Sequence, residues 1–248
     1  MDKPVALVTG ANRGIGWHVA RGLADRGYFV LLGCRSLDRG QSALADLRIA
    51  GGAGDVLNID LGEIDSIDRA VTTIATRYGR LDVLVNNAGV FAHPEDLSLS
   101  SLDIATLDQI IRSNLTGPIW ITRACLPMLI KCTGRVVNVT SDMARYDTAD
   151  GTYLAYRITK AGLDAFTANL AMQVRDTGTL VNGVDPGWVR TEMGGRDAPD
   201  SPEDAANLVV WAATLPAGAL SGVVFCSEKN APPTPVRTIP IIPVASES

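Results

Sequence analysis

Short apolar runs alternate with stretches of helical period along most of the chain, and this alternation constrains the fold more than any other feature. The apolar runs lie at 5–10, 28–33, 55–60, 81–89, 135–141, 180–187 and 222–227. They are too uniformly apolar to leave one face in water, which is typical of parallel strands covered on both sides. Helical stretches fill the gaps at 15–26, 38–50, 63–78, 101–130, 152–176 and 202–214. The pattern predicts an α/β fold, a doubly wound, seven-stranded parallel sheet with helices on both faces.

The chain from residue 230 onward has a different character. Its sequence, NAPPTPVRTIPIIPVASES, is rich in proline and lacks the period of a helix or a strand. Two interpretations stay open, a disordered tail and an arm that packs on a neighbour, and the composition favours the tail. We therefore predict a single domain over 1–229 followed by a proline-rich tail over 230–248.

Charge and cysteine content argue against several classes of protein. With 22 basic and 27 acidic residues, the chain has no basic stripe that could hold a nucleic-acid backbone. No apolar run reaches the roughly 18 residues of a membrane span, and the first residues enter a strand pattern at once, as no signal peptide does. The four cysteines form no CxxC pair, and with two histidines a metal site is not expected. We expect a cytoplasmic protein with reduced thiols that binds neither membranes nor nucleic acids.

The first apolar run ends in a glycine-rich turn, TGANRGIG at 9–16, and a helical pattern follows at once. Glycines let the backbone approach a pyrophosphate, and the N-terminus of the helix offers free N–H groups and the positive end of its dipole. A tight turn without any ligand would use the same residues, so the loop alone is a weak signal. Its position in the first strand–helix unit favours a dinucleotide site.

The glycine spacing resembles the short-chain dehydrogenase/reductase family, whose signature is TGxxxGxG. Further family motifs occur in the family's order: Asn86-Asn87-Ala88-Gly89 after the fourth strand, Asn114 in the next helix, Ser141 ending the fifth strand, Tyr156-x3-Lys160, and Asp185-Pro186-Gly187 closing the sixth strand. The matches span residues 5 to 227. The resemblance implies a Rossmann fold that carries its own substrate site, and an oxidoreductase that transfers hydride between a nicotinamide cofactor and a carbonyl or alcohol.

Two segments are similar to the carbonyl-reductase branch of this family, PGWVRTEM at 186–193 and FCSEK at 225–229. The segment between Ser141 and Tyr156 lacks the long insertion that the monomeric members of that branch carry. Without the insertion, the helices predicted at 101–130 and 152–176 are free to pair across a two-fold axis. The resemblance therefore implies a homodimer or a homotetramer.

The residues after the second strand indicate which nicotinamide cofactor binds. Cys34 stands where NAD-preferring relatives keep an aspartate, Arg35 follows it, and Arg13 of the glycine loop can point to the same place. Two guanidinium groups suit a phosphate dianion, so we expect NADP(H). Asp38 is the rival, as a ligand of the NAD ribose, although it is also placed to cap the helix that starts there.

The resemblance assigns a set of cofactor contacts along the carboxyl ends of the strands. They are Gly10, Asn12, Arg13, Gly14, Ile15, Gly16, Arg35, Asp60, Leu61, Asn87, Ala88, Gly89, Tyr156, Lys160, Pro186, Gly187, Val189 and Thr191. Asp60 has an alternative interpretation as the N-cap of the helix at 63–78, and Thr191 resembles the family residue that contacts the nicotinamide amide or the phosphates.

The stretch TYLAYRITKAG holds two tyrosines, and helical geometry distinguishes them. Reduction of a carbonyl leaves negative charge on oxygen, which requires a proton. A tyrosine with a pKa near 10 becomes a better acid–base group beside a cation. Tyr156 and Lys160 have the i, i+4 spacing of one helix face. Tyr153 lies seven residues from Lys160, and the residue four positions after it is Arg157. The spacing and the resemblance together predict Tyr156 as the general acid in reduction and the base in oxidation, with Lys160 lowering its pKa. The resemblance also implies that Lys160 binds the nicotinamide ribose.

The remaining roles follow from the resemblance. Ser141 would hold the substrate oxygen, and Asn114 would anchor a water that links Lys160 to solvent. Loops at the carboxyl ends of the strands supply candidates for the substrate wall, namely Phe91, Tyr153, Trp188 and Met193 together with Ser141. Their side chains predict a small apolar or aromatic carbonyl or alcohol.

Three alternatives stay open. A regulatory protein could bind NADP and have no turnover, although it would be expected to lose the tyrosine or the lysine. An NAD-dependent alcohol dehydrogenase would use Asp38 in place of the arginines. A sugar-nucleotide epimerase or dehydratase shares the tyrosine and the lysine, but it would need a differently spaced glycine loop and a larger C-terminal domain.

Overall fold

The computed structural model describes residues 3–91, 99–226 and 233–238, and in them eight strands form one sheet. The strands are β1 (Val5–Thr9), β2 (Phe29–Cys34), β3 (Ala53–Asn58), β4 (Val83–Asn86), β5 (Arg135–Val139), β6 (Leu180–Val184), β7 (Val223–Cys226) and β8 (Thr234–Thr238). Their order across the sheet is β3-β2-β1-β4-β5-β6-β7-β8, and β1 to β7 are parallel. The chain reverses its direction of travel across the sheet between β1 and β4, and open α/β sheets bind ligands at such a point.

Helices cover both faces of the sheet. They are α1 (Gly14–Ala24), α2 (Leu37–Ile49), α3 (Ile64–Arg77), α4 (Ile104–Ile111), α5 (Gly117–Lys131), α6 (Leu154–Gln173) and α7 (Pro202–Ala213). One apolar cluster joins the sheet to α1, α2 and α7, and a second joins its other face to α3, α5 and α6. The predicted doubly wound α/β fold is confirmed. No helix in the described ranges is long and apolar enough to cross a bilayer.

Strand β1 shows why the apolar runs did not alternate with polar residues. Ala6 and Val8 pack in the cluster with α1, α2 and α7, whereas Val5 and Leu7 pack in the cluster on the opposite face. All four side chains are fully buried. Because successive side chains of a strand point to opposite faces, a strand covered on both sides must be apolar throughout.

The prediction of seven strands is wrong by one, because the structure adds β8. This strand runs antiparallel to β7, with Thr238 opposite Val223 and Thr234 opposite Cys226. Disorder is therefore also wrong for 234–238, which lie in the segment predicted as a tail. Residues 227–232 and 239–248 lie outside the described ranges.

The helix predicted at 101–130 is interrupted. Between α4 and α5 the chain forms one π-helical turn at Arg112–Thr116, and Asn114 lies buried at its centre. An extra residue in a helical turn shifts the following side chains around the axis, and such turns are frequent at functional sites. The turn directs the Asn114 side chain toward the segment after β4.

Candidate active site

The motif residues lie where the strands end. Strands β4, β5 and β6 end at Asn86, Val139 and Val184, so each is shorter than the apolar run that predicted it. The residues that follow leave the sheet and form loops at its carboxyl edge. The sequence predicted longer strands there because each run was extended over the polar, glycine- or proline-containing residues of the motif that follows the strand.

The glycine turn after β1 needs its glycines for two different reasons. Gly10 and Gly14 have φ values of +67° and +53°, a region that favours glycine. At Gly16 the constraint is space, because a Cβ there would lie 2.4 Å from both the carbonyl oxygen of Gly10 and Nδ2 of Asn87. The turn therefore presents backbone at its surface, and α1 begins within it, at Gly14, with no side-chain cap on its first N–H groups. This arrangement fits a pyrophosphate.

Asn87 holds the glycine turn in place. Its Nδ2 donates to the carbonyl oxygens of Thr9 and Gly10, at 2.9 and 3.4 Å. In return, Oγ1 of Thr9 accepts from the backbone N–H groups of Asn87 and Ala88, both at 3.0 Å. Sequence analysis expected Asn87 to contact the cofactor, and the structure commits its side-chain amide to the loop that would carry the cofactor. Thr9, which the sequence did not single out, anchors the same junction.

A cleft of about 510 Å³ opens beside the glycine turn on the α1–α2 side. Its lining combines the glycine turn with residues of α1, of α2 and of the loop after β6, namely Asn12, Arg13, Gly14, Trp17, Arg39, Ser42, Ala43, Asp46 and Glu192. Arg39, not Arg35, joins Arg13 in this lining. Arg13 forms an exposed ion pair with Glu192. Two guanidinium groups in one cleft fit an adenosine phosphate.

The N-cap of α2, for which the sequence suggested Asp38, is a different residue. Ser36 caps α2 by accepting from the N–H of Arg39 at 3.4 Å, so the capping role considered for Asp38 is wrong. Cys34 is buried and its thiol donates to the carbonyl oxygen of Ser36 at 3.3 Å. The backbone of Arg35 is held by Asn58, whose Nδ2 donates to its carbonyl oxygen at 2.8 Å.

Asp60 does not cap the helix that follows it. The N-cap of α3 is Glu63, and Oδ1 of Asp60 accepts instead from the N–H of Gly62 at 2.9 Å. The N-cap interpretation is therefore wrong, and the predicted adenine contact stays a prediction. The next residue, Leu61, is buried against Gly117. A Cβ on Gly117 would lie 2.4 Å from the carbonyl oxygen of Leu61.

The loop after β6 returns to the glycine turn. Gly187, after Pro186, has a φ of +78°, and a Cβ there would lie 2.8 Å from Oδ2 of Asp200. Val189 is buried and bridges to Asp200 in a parallel pair. The methyl group of Thr191 lies 3.4 Å from the position of a Cβ on Gly14. The structure thus brings Thr191 and the glycine turn together, as the two halves of one cofactor site would require.

Tyr156 and Lys160 lie one turn apart on α6, with their side chains in the site. Tyr156 is 8% exposed and hydrogen-bonds Ser141, the residue that starts the loop after β5. Lys160 is buried, and its Nζ donates to the carbonyl oxygen of Val139 at 2.7 Å and lies 5.4 Å from the centroid of the Tyr156 ring. The predicted trio of Ser141, Tyr156 and Lys160 is therefore gathered at the end of β5.

Burial shifts both ionisable groups toward their neutral forms. It raises the pKa of Tyr156 above its ordinary value, Asp185 and Asp142 raise it further, and the hydrogen bond to Ser141 lowers it. It lowers the pKa of Lys160 to about 8, with Asp164 and Asp185 opposing the shift. The sequence predicted a lowered pKa for Tyr156, and the structure gives the opposite direction because burial is the largest cause of the shift.

Asn114 holds the segment after β4 against this trio. Its Oδ1 accepts from the N–H of Val90 and its Nδ2 donates to the carbonyl oxygen of Val90, both at 2.8 Å. A Cβ on Gly89 would lie 3.5 Å from Oδ1 of Asn114 and 4.0 Å from Nζ of Lys160. Gly89 therefore sits between the two side chains, and its lack of a side chain keeps the space beside Lys160 open.

An aromatic cluster borders the ring of Tyr156. The ring of Phe91 lies 4.6 Å from that of Tyr153 and 4.7 Å from that of Tyr156, measured between centroids. Trp188 and Met193, in the loop after β6, are 58% and 44% exposed. The structure thus joins Phe91 and Tyr153 of the predicted substrate wall directly to the candidate acid, and it leaves the other two at the surface.

Asp185 is the residue whose role the sequence missed. It lies buried at the end of β6, where its Oδ1 accepts from the N–H of Gly187 at 3.2 Å. Its charge acts on both Tyr156 and Lys160. An acidic residue directly before the Pro-Gly motif was the available signal. In the described part of the chain, no three His, Cys, Asp or Glu side chains are grouped to hold a metal ion.

Comparisons with known proteins agree with this geometry. The model of the short chain dehydrogenase family matches residues 4–201. The 3-oxoacyl-(acyl-carrier-protein) reductase of Vibrio harveyi is 34% identical over 239 residues, which are 93% of this chain and 92% of the relative. Carbonyl reductase (NADPH) 1 of Mus musculus is 32% identical, over 87% of this chain and 92% of the relative. The crystal structure of a metagenomic short-chain oxidoreductase in complex with NADP superposes with a TM-score of 0.77 and 32% identity, covering 91% of this chain and 97% of that one.

Proposed function

The chain belongs to the short-chain dehydrogenase/reductase family, and from this premise we propose that it is an NADP(H)-dependent oxidoreductase of the carbonyl-reductase type. It would transfer hydride between NADPH and a small carbonyl compound, or in reverse from the corresponding secondary alcohol. The observation that carries the proposal is the buried hydroxyl of Tyr156, hydrogen-bonded to Ser141 and one helical turn from Lys160.

The residues present fit the cofactor. The glycine turn and the uncapped N-terminus of α1 suit the pyrophosphate, and Arg13 and Arg39 suit the phosphate of the adenosine ribose. Cys34 leaves no acidic side chain at the end of β2 to repel that phosphate. The names of two of the relatives above, which specify NADPH and NADP, support the same choice.

When bound, a reduced nicotinamide supplies the hydride, and the chain's own residues manage the proton and the substrate oxygen. Ser141 would hold the carbonyl oxygen beside Tyr156 by hydrogen bonding. Tyr156 would donate its phenolic proton to that oxygen as negative charge develops, and its raised pKa keeps the proton available at neutral pH. The cation of Lys160 would then stabilise the tyrosinate that is left.

The cluster of Phe91 and Tyr153 beside Tyr156 supports an apolar or aromatic group next to the reacting carbon. Rings of this kind offer planar apolar surface and favour stacking. The 3-oxoacyl-(acyl-carrier-protein) reductase of Vibrio harveyi acts, by its name, on a ketone. A ketone flanked by apolar or aromatic substituents is therefore the substrate class that we propose.

A homodimer or a homotetramer is the assembly that we propose. Ile104, Trp120 and Ile158 lie on α4, α5 and α6, and each is exposed. Large apolar side chains exposed on neighbouring helices are typical of surfaces that pair with another chain. Light scattering of the purified protein would report a monomer if this surface stays open.

The deciding experiment is a panel of ketones, aldehydes and quinones, followed by the loss of NADPH absorbance and repeated with NADH. Wild type should consume NADPH with at least one ketone. Tyr156→Phe, which keeps the ring and removes the proton, should lower kcat by about 100-fold or more. Binding of NADPH should be nearly unchanged in this variant, which shows that the site is still formed.

Two results would contradict the proposal. If Tyr156→Phe reduces an accepted ketone as fast as wild type, Tyr156 is not the acid. If the whole panel leaves NADPH untouched although NADPH binds, the regulatory alternative is favoured.

A further inference from the structure

The loop between Ser141 and α6 is fastened by one side chain that the chemistry above does not use. Arg157 follows Tyr156 on α6, and its side chain is 14% exposed. Its guanidinium has four partners, all on that loop. Nε donates to the carbonyl oxygen of Thr152, and Nη2 forms an ion pair with Oδ1 of Asp150, both at 3.1 Å. Nη1 donates to the carbonyl oxygen of Met143 and to Oγ1 of Thr148, both at 3.4 Å. One residue thus reaches both ends of the loop.

Asp150 completes this contact. Its Oδ1 accepts from the N–H and from Oγ1 of Thr152, at 2.9 and 2.7 Å, in addition to the pairing with Arg157. These hydrogen bonds and the guanidinium hold the pKa of Asp150 below its ordinary value, so the carboxylate stays charged. Both charged groups bind Thr152, and their ion pair joins the end of the loop to α6.

The backbone that joins the loop to α6 is strained. Tyr153 has φ +55° and ψ +37°, the left-handed region that residues other than glycine adopt at a cost. Such a conformation persists only where its surroundings hold it. Here Arg157 binds the backbone of two consecutive residues. Its backbone N–H donates to the carbonyl oxygen of Tyr153 at 3.0 Å, and its side-chain Nε donates to the carbonyl oxygen of Thr152.

This conformation sets the aromatic wall of the site. It turns the ring of Tyr153 onto Phe91, which in turn touches the ring of Tyr156. We propose that Arg157 is a positioning residue for the substrate: it holds the 143–152 loop and Tyr153 so that the substrate wall stands at a fixed distance from the hydroxyl of Tyr156. The inference rests on the proposed carbonyl reduction for its substrate, and on the contacts above for the positioning itself.

Arginine suits this position better than lysine. Its planar fork offers five N–H donors, and four loop oxygens in different directions are bound here. Lysine would keep the charge for Asp150, but with three N–H donors it would leave at least one of the four loop oxygens without a donor. We therefore expect lysine to restore only part of the function that alanine removes.

The test compares Arg157→Ala and Arg157→Lys with a matched control, Arg145→Ala. Arg145 lies in the same loop and forms an ion pair with Asp147, but both side chains are exposed. For a ketone that wild type accepts, Arg157→Ala should lower kcat/KM by about 10- to 100-fold, mainly through KM. Arg157→Lys should lie between Arg157→Ala and wild type, Arg145→Ala should match wild type, and the Kd of NADPH should be unchanged in all three.

Equal kcat/KM values for Arg157→Ala and Arg145→Ala would overturn the proposal. So would a loss in Arg157→Ala that is confined to kcat, because a misplaced wall weakens substrate binding. If the alanine variant does not fold, the lysine variant decides the matter by the same KM comparison.

Hydrogen exchange separates this inference from the proposed function. Amide exchange over 142–153 should become faster in Arg157→Ala than in wild type and should stay unchanged in Arg145→Ala. If wild type reduces no carbonyl, the proposed function fails, and exchange alone then decides the positioning: faster exchange supports it and unchanged exchange overturns it.

Discussion

Nζ of Lys160 lies 5.4 Å from the centroid of the Tyr156 ring, and burial moves the pKa values of the two side chains in opposite directions. Each shift favours the neutral form, since an apolar surrounding penalises charge. Asp185 raises the pKa of both groups. It therefore favours a protonated tyrosine beside a charged lysine, which is the state that carbonyl reduction requires.

Replacing Asp185 by asparagine should make the rate of reduction fall at a lower pH than in wild type. Tyr156 must be protonated to act as an acid, so reduction is lost as pH rises through its pKa. Removing the carboxylate lowers that pKa and also lowers the pKa of Lys160 below about 8, so the cation is lost earlier as well. Both changes move the falling limb of the kcat profile to lower pH, by an amount on the order of one pH unit.

Asp142→Asn is the matched control for this profile. Asp142 also raises the pKa of Tyr156, but it is the smallest of the causes, so its variant should shift the limb in the same direction and by less. In Asp185→Asn, the amide oxygen of the new side chain would still accept the hydrogen bond from Gly187, which limits structural damage. Superimposable profiles for wild type and Asp185→Asn would refute a role for this charge.

The lining of the cleft beside the glycine turn indicates which arginine should bind the adenosine phosphate of NADPH. Arg39 lines the cleft with Arg13, and Arg35 is not part of that lining. Arg39→Ala should weaken NADPH binding by about tenfold or more, the size of a lost charge-assisted hydrogen bond, and should leave the Kd of NADH unchanged. Titration of the purified variants with each cofactor measures this difference.

Arg35→Ala serves as the comparison, because the sequence selected Arg35 for the same role. A larger loss of NADPH affinity in Arg35→Ala than in Arg39→Ala would reverse the assignment. Equal affinity of wild type for NADPH and NADH would instead show that neither arginine recognises the adenosine phosphate.

Asn114→Ala should destabilise the protein as well as impair it. The change removes the buried Asn114 side chain and with it both hydrogen-bond partners of the half-buried Val90 backbone. An unpaired buried backbone group costs about 1–3 kcal/mol, which urea unfolding would detect. Thr116→Ala removes a hydroxyl from the same π-helical turn, where it donates to the carbonyl oxygen of Arg112, and should cost less than about 0.5 kcal/mol. Similar losses in both variants would show that the turn, and not the Val90 contact, is what matters.

The parallel sheet could be predicted from sequence because burial on both faces leaves a local signature in each strand. Strand β8 has no such signature: it is short, contains Pro235 and is exposed at 234–236, and its pairing with β7 defines it as a strand. The π-helical turn at Arg112–Thr116 was also missed, because the contact that it supports, between Asn114 and Val90, joins residues 24 apart in sequence.

The candidate site likewise has features that the sequence could predict and features that it could not. Tyr156 and Lys160 follow from spacing along one helix, which sequence displays directly. The pKa of Tyr156 depends on burial and on Asp185, which approaches from another strand, so its direction could not be predicted. The contacts of Arg157 were equally hidden, since helical spacing relates it to Tyr153 but does not show how the loop folds back over it.

Strand β8 also bears on how the protein behaves at high concentration. A parallel sheet ends in rows of unpaired N–H and C=O groups, and another chain can add to such an edge and begin aggregation. Here the chain occupies the free side of β7 with its own segment. The new outermost strand carries Pro235, which has no N–H to offer, a feature by which edge strands discourage addition. The segment at 234–238 thus covers one of the two edges of the sheet and makes that edge a poor template for addition, whereas β3 forms the other edge.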